Sequence, residues 1–346
     1  MKLGVAIGYS GAKFAIDTQR IQEIESLGYD SIWTSEAYGS DAVSPAAWIL
    51  ALTSKITVGT AIMQMPARTP TMAAMTAMTL LALSGGRFAL GIRPSGPQVV
   101  EGWYGVASEK PLERTREYIA IIRQIVAREA PMTHDGYHYQ IPYTGPGSAG
   151  LGKPLKSILH GPHGLKIYTG AFTPAGVRTA AEVADGFFPL FMNPERADLL
   201  LGPLEEGFAK AGNGKSLDTF ETQPFVPVSM GDDLDECRLP IKQHLALYIG
   251  GMGARGKNFY NAYACRLGYE NEARTVQDLF LDGKHKDAVA AVPDQLVDDI
   301  SLIGPRERIL DRLEAWKDAG QKRHVTTLVA NEAGPEALRL LAEEIL

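Results

Sequence analysis

Short apolar runs alternate along this chain with longer stretches in which apolar residues recur every three or four positions. KLGVAIG (2–8), DSIWTSE (30–36), KITVGTAIM (55–63) and FALGI (88–92) are runs of the first kind and read as strands. The stretches between them read as helices. Thr18–Leu27 carries Ile21, Ile24 and Leu27 on one face and stops at Gly28. Pro45–Thr53 opens with Ser44 as the expected N-cap and Pro45 at the first helical position. An alanine- and methionine-rich helix runs from Pro70 to Leu83 and ends at Gly85-Gly86. Pro111–Glu129 is amphipathic, with Tyr118, Ile121, Ile122 and Ile125 facing inward. The alternation pauses over 131–164, rich in Gly, Pro and His, with a hairpin expected at Asp135-Gly136. It resumes with strand 166–171, helix Pro174–Asp185, strand 186–192, helix Pro194–Ala211 and strand 222–230. A helical excursion over 234–301 follows, then helix Pro305–Ala319, strand 324–330 and a last helix after Gly334-Pro335.

Eight strand–helix units in one chain predict an α/β fold, a single (β/α)8 TIM barrel spanning 1–346. Its insertions, at about 131–164 and 234–301, follow strands 4 and 7. A doubly wound open sheet is the rival, but the even spacing favours closure. In such barrels the chemistry lies on the loops after the strands. That rule selects Gly8–Tyr9, Glu36–Tyr38, Ala61–Gln64, Arg93–Gln98, Gly170–Pro174, Leu190–Asn193 and Met230–Asp232.

Composition narrows the partners. The chain has 346 residues, is 45% hydrophobic and carries a formal net charge of −6. That suits a large packed core, and no basic run invites nucleic acid. No apolar run reaches the roughly 20 residues of a membrane span, and no leader pattern is read at the N-terminus. Two cysteines, Cys237 and Cys265, make no disulfide framework, so a cytoplasmic protein is expected.

The segment Arg93-Pro94-Ser95-Gly96-Pro97-Gln98 ends a core strand with a rigid polar turn. Ser95 supplies a hydroxyl, Gly96 an unhindered backbone N–H, and Arg93 a fixed charge suited to phosphate. Gly170-Ala171-Phe172-Thr173-Pro174 ends at a helix N-terminus, where free N–H groups attract anions. The plain alternative is a turn packed on Trp103 and Tyr104. Glu36 reads either as a proton shuttle or as a rim carboxylate satisfied by backbone N–H groups. Tyr9 and Tyr38 are further candidates for orienting a substrate. His134, His138, His160 and His163 lack the carboxylates of a metal site and read as turn or surface residues, so no metal is expected. Gly251-Met252-Gly253-Ala254-Arg255-Gly256 fits GxGxxG but follows a helix rather than a first strand. It reads as an ordered insertion loop in which Arg255 and Lys257 would face an anionic substrate or a coenzyme tail.

SGPQVVEGWYG, with WTSEAYGSDA, VGTAIMQM, AEVADGFFP, YIGGMGARGKNF and GPRERILDRLEAW, resembles the luciferase-like superfamily, in its branch of coenzyme F420 (deazaflavin)-dependent oxidoreductases. The resemblance covers nearly the whole chain. It implies hydride exchange between F420 and a small organic substrate. FMN as cofactor of a luciferase-like monooxygenase and a non-catalytic cofactor-binding barrel are the alternatives. It implies a non-prolyl cis peptide at Ala61–Ile62, backing the deazaflavin ring beside Gln64. It also implies that Ser95, Gly96 and Gln98, with Gly170, Ala171 and Phe172, contact the phosphate and ribityl chain. Glu36 and Tyr38 would be the catalytic pair, and Arg93 would adjoin the cofactor. The Met72–Leu83 helix would form a homodimer. Two positions depart from the family. Arg93-Pro94 stand where relatives have Gly and a small apolar residue. Ala37 stands where the sugar-phosphate dehydrogenases have histidine, which argues against sugar-phosphate oxidation.

Overall fold

The computed structural model describes residues 1–8, 11–161 and 163–346; Tyr9 lies outside them. The strands are β1 (Lys2–Gly8), β2 (Ser31–Thr34), β3 (Thr57–Thr60), β4 (Met63–Gln64), β5 (Phe88–Arg93), β6 (His134–Asp135), β7 (Gln140–Ile141), β8 (Lys166–Gly170), β9 (Gly186–Phe188), β10 (Glu221–Thr222), β11 (Phe225–Met230), β12 (Leu302–Gly304) and β13 (Thr327–Asn331). Around them stand α1 (Thr18–Ser26), α2 (Val43–Leu52), α3 (Pro70–Leu83), α4 (Pro97–Val100), α5 (Pro111–Ala127), α6 (Pro174–Val183) and α7 (Asp198–Ala211). The later helices are α8 (Leu234–Ala246), α9 (Phe259–Arg266), α10 (Glu270–Leu281), α11 (His285–Ala290), α12 (Asp294–Ile300), α13 (Arg306–Gln321) and α14 (Pro335–Ile345).

The main sheet is parallel and curled, in the order β10-β9-β8-β5-β3-β2-β1-β13-β11-β12. Strands joined by helices must run the same way, and the helices then cover the outer face. The stretch expected as one strand over 222–230 is split. Glu221 and Thr222 pair with β9, whereas Phe225–Pro227 pair with β13. Pro224 has no N–H to give a ladder, which explains the break. Strand β12 was not foreseen; its three residues look like the end of a helical run but add to the far half of β11. Chain 55–63 is likewise two strands rather than one, and 186–192 leaves the sheet after Phe188.

Helix boundaries follow local chemistry. Pro70–Leu83 is helical as the sequence predicts, with Thr69 as N-cap. At α2 the expected cap Ser44 does not act; the Asp41 carboxylate accepts from the amides of Val43 and Ser44 instead. Inside the curled sheet Trp33, Tyr168 and Phe188 pack edge to face, with centroids 5.4 and 4.9 Å from Trp33. Two strand glycines make this possible. A Cβ on Gly59 would overlap the Trp33 ring, and one on Gly91 would fall on the Thr60 carbonyl oxygen. The outer core lies between sheet and helices. A second core, formed by α8–α12, takes in Phe172 and Phe191 from the loops after β8 and β9. No helix among the described residues is long and apolar enough to cross a membrane.

Candidate active site

The site begins where β3 ends. The peptide bond between Ala61 and Ile62 is cis, at the position the resemblance implies. The chain then re-enters the sheet as β4, pairing Met63 with Ile92 and Gln64 with Arg93. This brings Ile62 toward Gly170 at the end of β8. A Cβ built on Gly170 would lie 3.8 Å from Ile62 Cγ2 and 3.3 Å from Arg93 Cδ. The ends of three adjacent strands therefore converge on one point.

Glu36 lies behind that point and is only 7% exposed. Its Oε1 accepts from the amide of Gln64 at 2.7 Å and its Oε2 from the amide of Ala42 at 2.9 Å. Arg68 Nη1 donates to both oxygens, at 3.0 and 3.2 Å. Both oxygens thus accept from the protein's own donors, including the backbone amides that one of the two readings expects. Gln64 is buried as well. Its Nε2 donates to the Ala37 carbonyl at 2.6 Å, while its Oε1 has no partner among the described residues. A buried amide oxygen without a donor is costly, so a donor from outside the chain is the natural complement.

The other predicted residues spread along the same rim. Ser95 holds the left-handed conformation at φ 68, rare for a residue with a side chain. Gly96 precedes α4, a short helix not foreseen in the loop, and Gln98 is exposed on it. Tyr38 is exposed and stands beside Trp103, centroids 6.5 Å apart. Ala171 is buried, its amide donating to the Phe188 carbonyl. The Thr173 hydroxyl caps α6 by accepting from Gly176 at 3.1 Å. The loop after β8 is pinned to the insertion, because Arg266 donates to the Phe172 carbonyl at 2.7 Å.

The insertion supplies a wall that periodicity did not reveal. Helix α8 passes into a π-helical turn, Leu247–Gly251, whose wider winding rotates Tyr248 relative to the helix before it. Asn258 ties this turn to α9. Its Nδ2 donates to the carbonyls of Tyr248 and Ile249, both at 2.9 Å, and its Oδ1 accepts from Tyr260 and Asn261. Tyr260 stacks on Phe172 at 4.7 Å and meets Tyr248 edge-on at 4.8 Å. His244 stacks on Tyr248 at 4.4 Å, and Phe191 meets both edge-on. Burial pushes the His244 pKa down, although the residue keeps an exposed edge. The run YIGGMG, a helix meeting clustered glycines, was the available sequence signal for the loosened turn.

Arg255 does not join this aromatic cluster. It pairs with Asp278 at 2.7 Å on the outer surface, and Lys257 is exposed nearby. His134 and the amides of Tyr137, His138 and Tyr139 gather on Glu117, which anchors the β6–β7 hairpin. His160 meets Arg128 Nη1 at 3.1 Å. Among the described residues no group of three or more His, Cys, Asp or Glu is placed to hold a metal ion.

Known proteins share this arrangement of chain. A Mycobacterium tuberculosis protein, provisionally named a coenzyme F420-dependent oxidoreductase, is 43% identical over 99% of this chain and 98% of its own. The 5,10-methylenetetrahydromethanopterin reductase of Archaeoglobus fulgidus is 28% identical, covering 93% of this chain and 92% of its own. Among solved structures, the coenzyme F420 dependent tetrahydromethanopterin reductase of Methanopyrus kandleri superposes with a TM-score of 0.74. It shares 21% identity, with 99% and 98% of the two chains covered. The family model described as luciferase-like monooxygenase matches residues 2–323, and the chain therefore belongs to the luciferase-like monooxygenase family.

Proposed function

We propose that the protein is an oxidoreductase that binds coenzyme F420 at the C-terminal ends of its strands and exchanges a hydride with a small organic substrate. The convergence of Ile62, Gln64, Arg93 and Gly170 at the ends of adjacent strands carries this reading. The relative most similar in sequence among those described above bears an F420-dependent name. The residues present fit a flat heterocycle bearing N–H groups. Gln64 Oε1 is a buried acceptor without a donor among the described residues, and nearby in the chain Ala61 and Ile62 pack into the apolar cluster around Trp33 and Phe188.

When bound, the deazaflavin supplies the hydride chemistry; the protein supplies binding, orientation and exclusion of water. Ala61 and Ile62 would back the ring, and Gln64 would bond its edge. Ser95, Gly96 and Gln98, with Gly170, Ala171 and Phe172, would hold the phosphate and ribityl chain. Glu36 positions Gln64 through the backbone. Tyr38, at the open rim, meets the substrate.

The curled sheet is read as a closed (β/α)8 barrel in one domain, with insertions over 131–164 and 234–301. In support, Gln223 donates its amide to the Phe187 carbonyl on one side while the Val329 amide donates to Pro224 on the other. A cytoplasmic homodimer is part of the same proposal, supported by exposed Trp48, Met72, Met75 and Leu83 on α2 and α3.

Titration of the purified protein with F420 and with FMN tests the reading. Quenching of F420 fluorescence with micromolar affinity, and FMN binding about tenfold weaker or worse, is expected. The reverse preference makes it a flavin monooxygenase, and binding of neither removes the proposal.

A further inference from the structure

Arg93 is the last residue of β5, and its side chain crosses Gly170 toward the insertion. Its guanidinium lies 5.5 Å from the centre of the Phe172 ring and donates to Tyr260 Oη at 3.2 Å. Among the described residues it has no carboxylate within ion-pair distance. The side chains that act on its charge are Tyr260 and Tyr248. A half-buried guanidinium without a counter-charge is unfavourable, and an entering anion relieves that. Tyr260 Oη accepts from Arg93, and its own proton has no acceptor among the described residues. Arg93 and Tyr260 therefore bring two donor groups to one corner. Beside them Tyr248 and His244 form aromatic surface over the buried Phe191, and His244 remains open to solvent.

We propose that this corner binds an aromatic carboxylate, its oxygens on Arg93 Nη and Tyr260 Oη and its ring against Tyr248 and His244. A planar guanidinium fork matches a carboxylate, and ring surface matches ring surface. The inference deepens the proposed function by naming a substrate class. It rests on that reading only for the role of substrate, since the binding itself needs no coenzyme.

Calorimetric titration of the full chain with 4-nitrobenzoate and with its neutral analogue nitrobenzene tests it. The titrations are made with and without F420, on the wild type, Arg93→Met and Tyr260→Phe. The carboxylate binds about tenfold tighter or better than the neutral analogue. That preference falls about fivefold or more in each variant and survives saturation with F420. Tyr260→Phe keeps the ring stacking, so its effect reads the lost hydroxyl rather than a lost fold. Equal affinity for the two probes, or an unchanged preference in both variants, overturns the proposal. Displacement of 4-nitrobenzoate by F420 also overturns it, giving the Arg93 anion site to the coenzyme. If F420 does not bind while 4-nitrobenzoate binds with the expected preference, the proposed function falls and the carboxylate corner stands.

Discussion

Glu36 accepts the backbone amide of Gln64 at 2.7 Å, joining the end of β2 to the first residues beyond the cis bond. Gln64 could not present its Oε1, unpaired among the described residues, to a ligand unless its backbone were held, and Glu36 is what holds it. The same carboxylate pairs with Arg68, whose side chain is 20% exposed against 3% for Glu36.

Glu36→Gln is therefore expected to lower stability and coenzyme affinity together. Breaking a buried pair by changing one partner costs about 3 kcal/mol or more. Urea unfolding and F420 titration of the variant measure the two effects. A variant with unchanged stability and affinity but no turnover would restore Glu36 to proton transfer.

Gly91→Ala places a methyl group on the Thr60 carbonyl oxygen, in the middle of the sheet. Backbone cannot move aside there without parting β3 from β5. We expect a loss of about 4 kcal/mol or more, or no soluble protein. A melting temperature equal to wild type would show that the strands can separate at this point.

The Glu117 anchor makes the hairpin sensitive to acid. Burial pushes its carboxyl pKa up, but hydrogen bonds from His134 and from the amides of His138 and Tyr139 outweigh burial and hold it below the usual 4.5. A carboxyl with a depressed pKa contributes stability that is complete above its unfolded pKa and is lost as pH falls through the folded value. The melting-temperature gap between wild type and Glu117→Gln should thus be constant near neutrality and shrink below about pH 4.5. A gap that stays level down to about pH 3 contradicts this.

Exposed Met72 and Met75 lie one turn apart on α3, with Trp48 on the neighbouring α2. If copies of the chain meet here, Met75→Glu buries a charge in the interface and should weaken association by about tenfold or more. Light scattering coupled to size exclusion would detect the shift from dimer to monomer. A wild-type protein that is monomeric at micromolar concentration refutes the dimer outright.

Local order was written in the sequence wherever neighbours along the chain decide it. Pro70 and Gly85 bound α3, and strand follows helix in the expected order, because caps and periodicity act over a few residues. The bond at Ala61–Ile62 came from resemblance, not from any property of those two residues. The fold alone decided what arises from distant segments meeting. Glu36 found Arg68 and the Gln64 amide, Arg93 turned to Tyr260 across 167 positions, and Phe172 and Phe191 left the strand ends to join the insertion's core. A side chain's partner is set by which surfaces pack together, and that depends on the whole chain's burial rather than on any short window of it.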